Sequence, residues 1–282
     1  MGKSFSKHSS STFSPSKFIP SNETQIIGAQ VCHDICRELW GQNFIAPIHN
    51  ELKNDDFKVL DVGCGPGSWV CELANDFRAS CYGVDIQPTF PTQKPRNAQF
   101  HIANILNGLP FDDNFFDYIH VRFMIMFFTQ EEWETKVIVE LFRVLKPNGY
   151  LEFVEGDAML NMPTSLKPLS KSGYPLLSQN SLPCLIRFEC FLQETNKLEN
   201  ICHERKQLIL GDWSNNPLQN KLGTLLLGLI RQSFKNHQDI FYSYISKKDF
   251  DKLLEQLPMD CNWSKAYIMF HRFVGKKKLA EN

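Results

Sequence analysis

Residues 58–88 constrain the fold more than any other stretch, because an apolar run enters a turn that contains three glycines. Run and turn together read V-L-D-V-G-C-G-P-G over residues 59–67. Such an apolar, non-alternating run is typical of a parallel strand that is buried on both faces. Residues 68–74 have helical spacing, and a second apolar run at 81–84 ends in Asp85. The stretch therefore predicts the strand, turn, helix and strand of a nucleotide-binding α/β unit.

The residue types of this unit suit a ligand that contains a nucleoside. Gly63, Gly65 and Gly67 have no Cβ, so their backbone N–H groups can come close to a ligand. The N-terminus of the following helix presents unpaired donors and a partial positive charge. Asp85 is placed to accept hydrogen bonds from both hydroxyls of a ribose. The alternative is a glycine turn that binds no ligand.

The spacing of the glycines distinguishes between cofactors. The dinucleotide fingerprint is G-x-G-x-x-G, but its third position here is Ser68, and the glycines read G-x-G-x-G. Asp61 also stands in the strand just before them. This arrangement resembles the first motif of class I S-adenosylmethionine-dependent methyltransferases, and it disfavours a nicotinamide dehydrogenase. The resemblance implies that the methionyl part of the cofactor lies over the glycine loop and that Asp85 holds the ribose.

Further residues extend the resemblance along the chain. Asn104 follows a predicted third strand at 98–102, where the family usually has an acid that holds the adenine amino group; the amide oxygen of Asn can still accept that bond. With Trp69, the R-V-L-K-P-N-G-Y run at 143–150 and Glu155, the chain resembles fungal methyltransferases of the type linked to regulation of secondary metabolism (LaeA-like). The cofactor contacts that the resemblance implies are Asp61, Gly63, Cys64, Gly65, Gly67, Asp85, Ile86, Asn104, Ile105 and Val121.

The resemblance implies an α/β fold with a Rossmann-like, seven-stranded, mostly parallel sheet, helices on both faces and an antiparallel last strand. Residues 23–157 would form the cofactor-binding half, and 158–282 the substrate-side cap and the C-terminal strands. Residues 158–184, rich in Pro, Ser and Leu, are predicted to be a loop or cap. The other predicted helices are 23–40, 130–145, 185–197, 217–234 and 247–256, and the other predicted strands are 118–121, 151–154, 202–210 and 266–274.

The N-terminal residues 1–22 are rich in Ser, Lys and Pro and are predicted to be a disordered arm. Their start fits the pattern M-G-x-x-x-[ST], which predicts N-myristoylation at Gly2, with a chance match as the alternative. One myristoyl chain binds a membrane only marginally, so we expect reversible contact with a membrane surface.

Composition excludes several classes of protein. The net charge of −1 over 282 residues argues against a nucleic-acid protein driven by bulk electrostatics. We expect neither a membrane span nor a secretory signal, because no apolar run is long enough and the N-terminus lacks an apolar core segment. Nine cysteines without a C-x-x-C pair favour reduced thiols in the cytoplasm. We expect no metal site, and we interpret Cys32 and Cys36 as packing residues of one helix face.

The predicted reaction is methyl transfer from S-adenosylmethionine to a small-molecule or protein acceptor, which places the chain among the methyltransferases (EC 2.1.1.-). Positioning and exclusion of water are the main requirements, and a general base is needed only for a protonated acceptor. No catalytic residue is identified; for His120 a buried or packing role is favoured over that of a base. Glu155 and Asp157 are either site residues or solvent-facing acids. The alternative function is a catalytically weak S-adenosylmethionine-binding regulator or scaffold.

Overall fold

A seven-stranded sheet with the order β3-β2-β1-β4-β5-β7-β6 forms the centre of the computed structural model. The structure describes residues 23–177 and 185–279, so the predicted arm and its acylation site at Gly2 lie outside the described residues. The strands are β1 Lys58–Val62, β2 Ser80–Asp85, β3 Ala98–Ile102, β4 Phe116–Arg122, β5 Leu145–Gly156, β6 Leu198–Ile209 and β7 Tyr267–Lys277.

The first five strands are parallel, and β7 is antiparallel to both β5 and β6. This confirms the predicted mostly parallel sheet with an antiparallel last strand. Helices surround the sheet: α1 Glu23–Trp40, α2 Ser68–Asp76, α3 Gln130–Glu132, α4 Ile138–Val144, α5 Leu185–Glu194, α6 Pro217–Asn236, α7 Gln238–Phe241 and α8 Lys247–Ser264. Because the strand order reverses between β1 and β4, a crevice for ligands is expected at the carboxyl ends of these two strands.

The core lies on both faces of the sheet, as a buried parallel sheet requires. One face packs on α2 through residues such as Val59 and Trp69, and the other packs on α4 through residues such as Leu60. A third cluster joins α1 to α6, α8 and the segment after β5. The first helix therefore shares its core with the C-terminal half of the chain.

Several predicted elements differ from the structure in their extent. The predicted helix 130–145 contains a π-helical turn, Trp133–Val137, and ends at Val144, where β5 begins directly. The predicted loop 158–184 includes two 3₁₀ helices, Thr164–Ser172 and Pro175–Leu177, with Leu166 and Leu169 in the core. Helix α8 continues through Pro258 to Ser264, and β6 starts four residues before its predicted start.

Strand β6 forms one edge of the sheet and carries mostly polar, exposed residues. Its exposed charged side chains are Glu199, Glu204, Arg205 and Lys206. The buried residues of the strand lie at its two ends: Leu198 at the start, and Leu208 and Ile209 at the finish. Little in this strand resembles the apolar runs of β1 and β4.

Candidate active site

The glycine loop lies at the carboxyl end of β1 and leads directly into α2, as predicted. Gly65 has a left-handed φ of 53°, and a Cβ placed there would meet no atom within 4 Å. Its backbone therefore borders open space, and that space can receive a ligand. Gly63, also left-handed at 72°, differs, because a Cβ there would collide with the side chain of Met124. The N-cap of α2 is Gly67, which has no side chain to occupy the first N–H groups of the helix.

Asp85, at the carboxyl end of β2, is fixed against this loop. Its carboxylate accepts hydrogen bonds from the backbone N–H of Gly65 at 2.8 Å and of Gln87 at 2.9 Å. Burial raises the pKa of Asp85, and the backbone donors oppose that shift. A carboxylate has about four acceptor positions, so the backbone donors leave acceptor capacity for a further donor such as a ribose hydroxyl.

Asp61 lies beneath the loop and is engaged by a buried histidine. Nδ1 of His120 is 2.8 Å from Oδ1 of Asp61, and both side chains are almost fully buried. The His120 ring stacks on Trp69 with 4.2 Å between ring centroids. Burial lowers the pKa of His120, and Asp61 opposes this shift. The predicted buried role of His120 is confirmed: it positions Asp61 and packs under the first turn of α2.

Glu155 closes the other side of the crevice, at the end of β5. It is 2% exposed, so its interpretation as a solvent-facing acid is wrong. Its Oε1 accepts the backbone N–H groups of Met124 at 2.8 Å and Ile125 at 3.2 Å. Burial raises its pKa to about 8. The carboxyl group thereby holds the segment after β4, whose Met124 side chain lies against Gly63.

Helix α1 covers the crevice and is tied to α2 and β4 by polar groups that sequence reasoning did not single out. Glu72 of α2 contacts Nε2 of His33 and accepts a hydrogen bond from Arg37 at 3.0 Å. Arg122, at the end of β4, is 3.2 Å from Nδ1 of His33. The chain separation of 39 residues between His33 and Glu72 left no local pattern from which to predict this contact.

The segment 41–46 after α1 is also fixed to the sheet. Buried Glu152 accepts the N–H groups of Ile45 and Ala46, and the indole of Trp69 donates to the carbonyl of Asn43 at 3.0 Å. Arg272 of β7 donates to the carbonyl of Gln42 at 3.1 Å. A polar cavity of about 10 Å³, room for one water molecule, remains between α1 and the sheet. Helix and segment together exclude bulk solvent from this side of the crevice.

The remaining predicted contacts occupy different environments. Ile86 is 44% exposed and follows Asp85, whereas the side chains of Ile105 and Val121 are buried in the core. Cys64 is buried beside the loop, and burial raises the pKa of its thiol. The amide oxygen of Asn104 accepts the N–H of Leu106, which caps a short 3₁₀ helix. Their roles as cofactor contacts stay predictions.

The described residues contain no group of three or more His, Cys, Asp or Glu side chains placed to bind a metal ion. Within those residues, no helix combines the length and apolar character needed to cross a bilayer.

Comparisons with known proteins find similarity to methyltransferases. Residues 59–149 match the family described as methyltransferase domain. The N-methyltransferase sirN of Leptosphaeria maculans is 29% identical over 164 residues, which cover 57% of this chain and 51% of sirN. The secondary metabolism regulator laeA of Coprinopsis cinerea is 27% identical over 145 residues, which cover 49% of this chain and 35% of that protein. The chain thus spans about half the length, or less, of these curated relatives.

Among solved structures, the fold is similar to that of phosphoethanolamine N-methyltransferase 2 of Haemonchus contortus in complex with S-adenosyl-L-methionine. The TM-score is 0.57 at 18% identity, and the similarity covers 95% of this chain and 61% of that one. Residues 59–149 thus match a methyltransferase domain, and the sheet order and glycine loop are those that the resemblance to class I S-adenosylmethionine-dependent methyltransferases implies.

The residues present fit the cofactor of this class, S-adenosylmethionine. The open backbone at Gly65 and the spare lone pairs of Asp85 suit its nucleoside, and the methionyl part has the N-terminal N–H groups of α2 within the same loop. When bound, it supplies a methyl group that is activated by a positively charged sulfur. The protein's own contribution is to position the reactants and to exclude water with α1 and the segment 41–46.

Proposed function

We propose that this chain transfers the methyl group of S-adenosylmethionine to a nucleophile of a small-molecule or protein acceptor. The observation that carries the proposal is the open backbone at Gly65 beside the anchored carboxylate of Asp85. The relative sirN is named an N-methyltransferase, which favours nitrogen as the accepting atom.

Isothermal titration calorimetry tests the cofactor part of this proposal. S-adenosylmethionine and its demethylated product should each bind at one site per chain, whereas NAD should release no heat of binding. Saturable binding of NAD with no binding of the sulfonium nucleoside would overturn the assignment.

Transfer is tested with methyl-labelled S-adenosylmethionine and an extract of the source cells, with and without the protein. Label that appears in the small-molecule or protein fraction supports turnover and reports the class of acceptor. The Asp85→Ala variant serves as the control, because it should transfer no label. Tight binding without label transfer would instead favour the catalytically weak regulator.

A separate proposal concerns the N-terminus. We infer from the M-G-x-x-x-[ST] pattern that Gly2 carries a myristoyl group and that the chain contacts membranes reversibly. Intact-mass spectrometry of the protein made in eukaryotic cells should show the added acyl mass, and Gly2→Ala should lack it. An unmodified Gly2 contradicts this proposal without affecting the proposed reaction.

A further inference from the structure

Four side chains form a continuous line across the C-terminal part of the sheet. Oε2 of Glu189, on α5, lies 2.9 Å from Nδ1 of His203, on β6. Nε2 of His203 lies 2.9 Å from Nδ1 of His271, on β7. Nε2 of His271 lies 3.8 Å from Oδ2 of Asp157, which directly follows β5. We refer to Glu189, His203, His271 and Asp157 as the acid–histidine chain.

The hydrogen bonds within the acid–histidine chain determine which ring nitrogens carry protons. An ionised Glu189 can only accept, so the proton of neutral His203 must be on Nδ1, and its Nε2 is then an acceptor. Nδ1–H of His271 donates to that acceptor, and in the neutral form of that ring Nε2 is then a bare lone pair. Burial lowers the pKa of His203, which keeps this ring neutral near pH 7, while Glu189 opposes the shift.

The end at Asp157 lacks a donor. His271 is 2% exposed, and its Nε2 has no hydrogen-bond partner among the described residues. Asp157 uses Oδ1 to accept its neighbouring backbone N–H from Ala158, and its Oδ2 faces the histidine. Two acceptors therefore face each other at 3.8 Å, an arrangement that favours uptake of a proton or of a donor group from a ligand.

The line runs from the residue that follows β5 to α5. Asp157 lies two residues beyond Glu155, which holds Met124 beside Gly63 of the cofactor loop. The side chain of Asp157 is 31% exposed, and that of Glu189 at the other end is 34% exposed. The charged or titratable groups that face the two rings are Glu189 from α5, Arg205 from β6, Glu155 opposite His271 in register on β5, and Asp157.

We propose that the acid–histidine chain accepts the proton that the methyl acceptor loses and conducts it to solvent. This proposal rests on the proposed function. The acceptor's nitrogen or oxygen lone pair bonds to the methyl carbon as the carbon–sulfur bond breaks, and that electron pair stays on sulfur. The acceptor's proton moves to Asp157 and then to Nε2 of His271. The Nδ1 proton of His271 passes to His203, and that of His203 passes to Glu189 and into water. His203 and His271 act here as positioning residues, because in this proposal Asp157 is the group that meets the acceptor.

Nitrogen-15 NMR of the histidine side chains tests the proton arrangement without any acceptor. In the wild-type protein at pH 7.5, His203 and His271 should both be neutral with the proton on Nδ1. In Glu189→Ala, His203 should lose this preference, whereas His101→Gln should leave both rings unchanged. An Nε2–H tautomer of His271 in the wild-type protein would overturn the proposal.

Kinetics with the labelled-methyl extract assay supply a second measurement. His271→Gln should lower kcat about 10- to 100-fold, while KM for S-adenosylmethionine stays within about twofold of the wild-type value. The increase of kcat with pH should also shift to higher pH. His101→Gln, a histidine of the distant edge strand β3, is the matched control. Equal losses in both variants, or an unchanged pH profile in His271→Gln, would overturn the proton route. Absence of transfer by the wild-type protein would overturn the proposed function instead, and the tautomer measurement would still decide the proton arrangement.

Discussion

Gly65 is the residue whose replacement separates binding from folding most cleanly. A Cβ at this position meets no protein atom, so Gly65→Ala should fold at a cost of about 1–2 kcal/mol for the left-handed backbone alone. The added methyl group would, however, occupy the space in which the nucleoside is expected. We predict that calorimetry will show at least about a tenfold loss of affinity for S-adenosylmethionine, or about 1.4 kcal/mol.

Gly41→Ala is the matched control, because Gly41 also has a left-handed φ, of 75°, and open space at its Cβ. It should lose a similar amount of stability and keep its affinity. Equal affinities of Gly65→Ala and Gly41→Ala for the cofactor would contradict the site.

Glu155 makes stability depend on pH in a defined direction. Its pKa is about 8 in the folded chain and about 4.5 when unfolded, so between these values the folded state binds more protons. The contribution of this group to the free energy of unfolding therefore falls as pH rises from about 4.5 to 8, by about 1.4 kcal/mol for each pH unit. Glu155→Gln keeps the oxygen that accepts from Met124 and Ile125, and it cannot ionise.

Urea unfolding at pH 5, 6.5 and 8 checks this prediction. As pH rises, the free energy of unfolding of Glu155→Gln should increase relative to that of the wild-type protein. Glu131→Gln is an exposed change in the first turn of α3. Its free energy of unfolding should vary with pH as that of the wild-type protein does. A constant difference between Glu155→Gln and the wild-type protein across the three pH values would contradict the assigned pKa.

Among the elements, α1 depends on the charge of one histidine. Neutral His33 satisfies both contacts when Nε2–H donates to Glu72 and Nδ1 accepts from Arg122; a second proton would point at the guanidinium. Burial and Arg122 lower the pKa of His33 from 6.5, and Glu72 and Asp34 oppose them. Because the unfolded state then binds more protons, this stabilisation is present above pH 6.5 and is lost as pH falls below it.

Hydrogen exchange measures this effect locally. After correction for intrinsic rates, backbone amides of residues 26–40 should exchange faster at pH 5.5 than at pH 7.5, and the difference should shrink in His33→Gln. His49→Gln, an exposed change, should retain the full difference. Protection of α1 that does not vary with pH in the wild-type protein would disprove the role of His33.

The elements also show how far the sequence alone could lead. Much of residues 58–149 was predictable because the apolar runs of β1 and β2 and the glycine turn are local signals, and the structure has each of them. Only part of strand β6 was predicted. It lies at the sheet edge, and its polar composition lacks the apolar run that marks a buried strand. The contacts of His33, His203 and His271 join distant segments or depend on strand register, so no local spacing could reveal them.

For the whole molecule, the shared core predicts that the two halves of the chain unfold together. Ile35 and Trp40 of α1 pack in one cluster with Leu226 of α6, Phe250 of α8 and Phe270 of β7. Denaturant unfolding followed by tryptophan fluorescence and by far-ultraviolet circular dichroism should therefore give one coincident transition. Two separated transitions would show that residues 23–157 are a unit of their own.

The polar rim of β6 bears on how the molecules behave when crowded. A second sheet that added itself to this border would have to strip water from Glu204, Arg205 and Lys206 in close succession. Collisions along this border should consequently remain transient, and concentrated preparations should resist fibre growth from it.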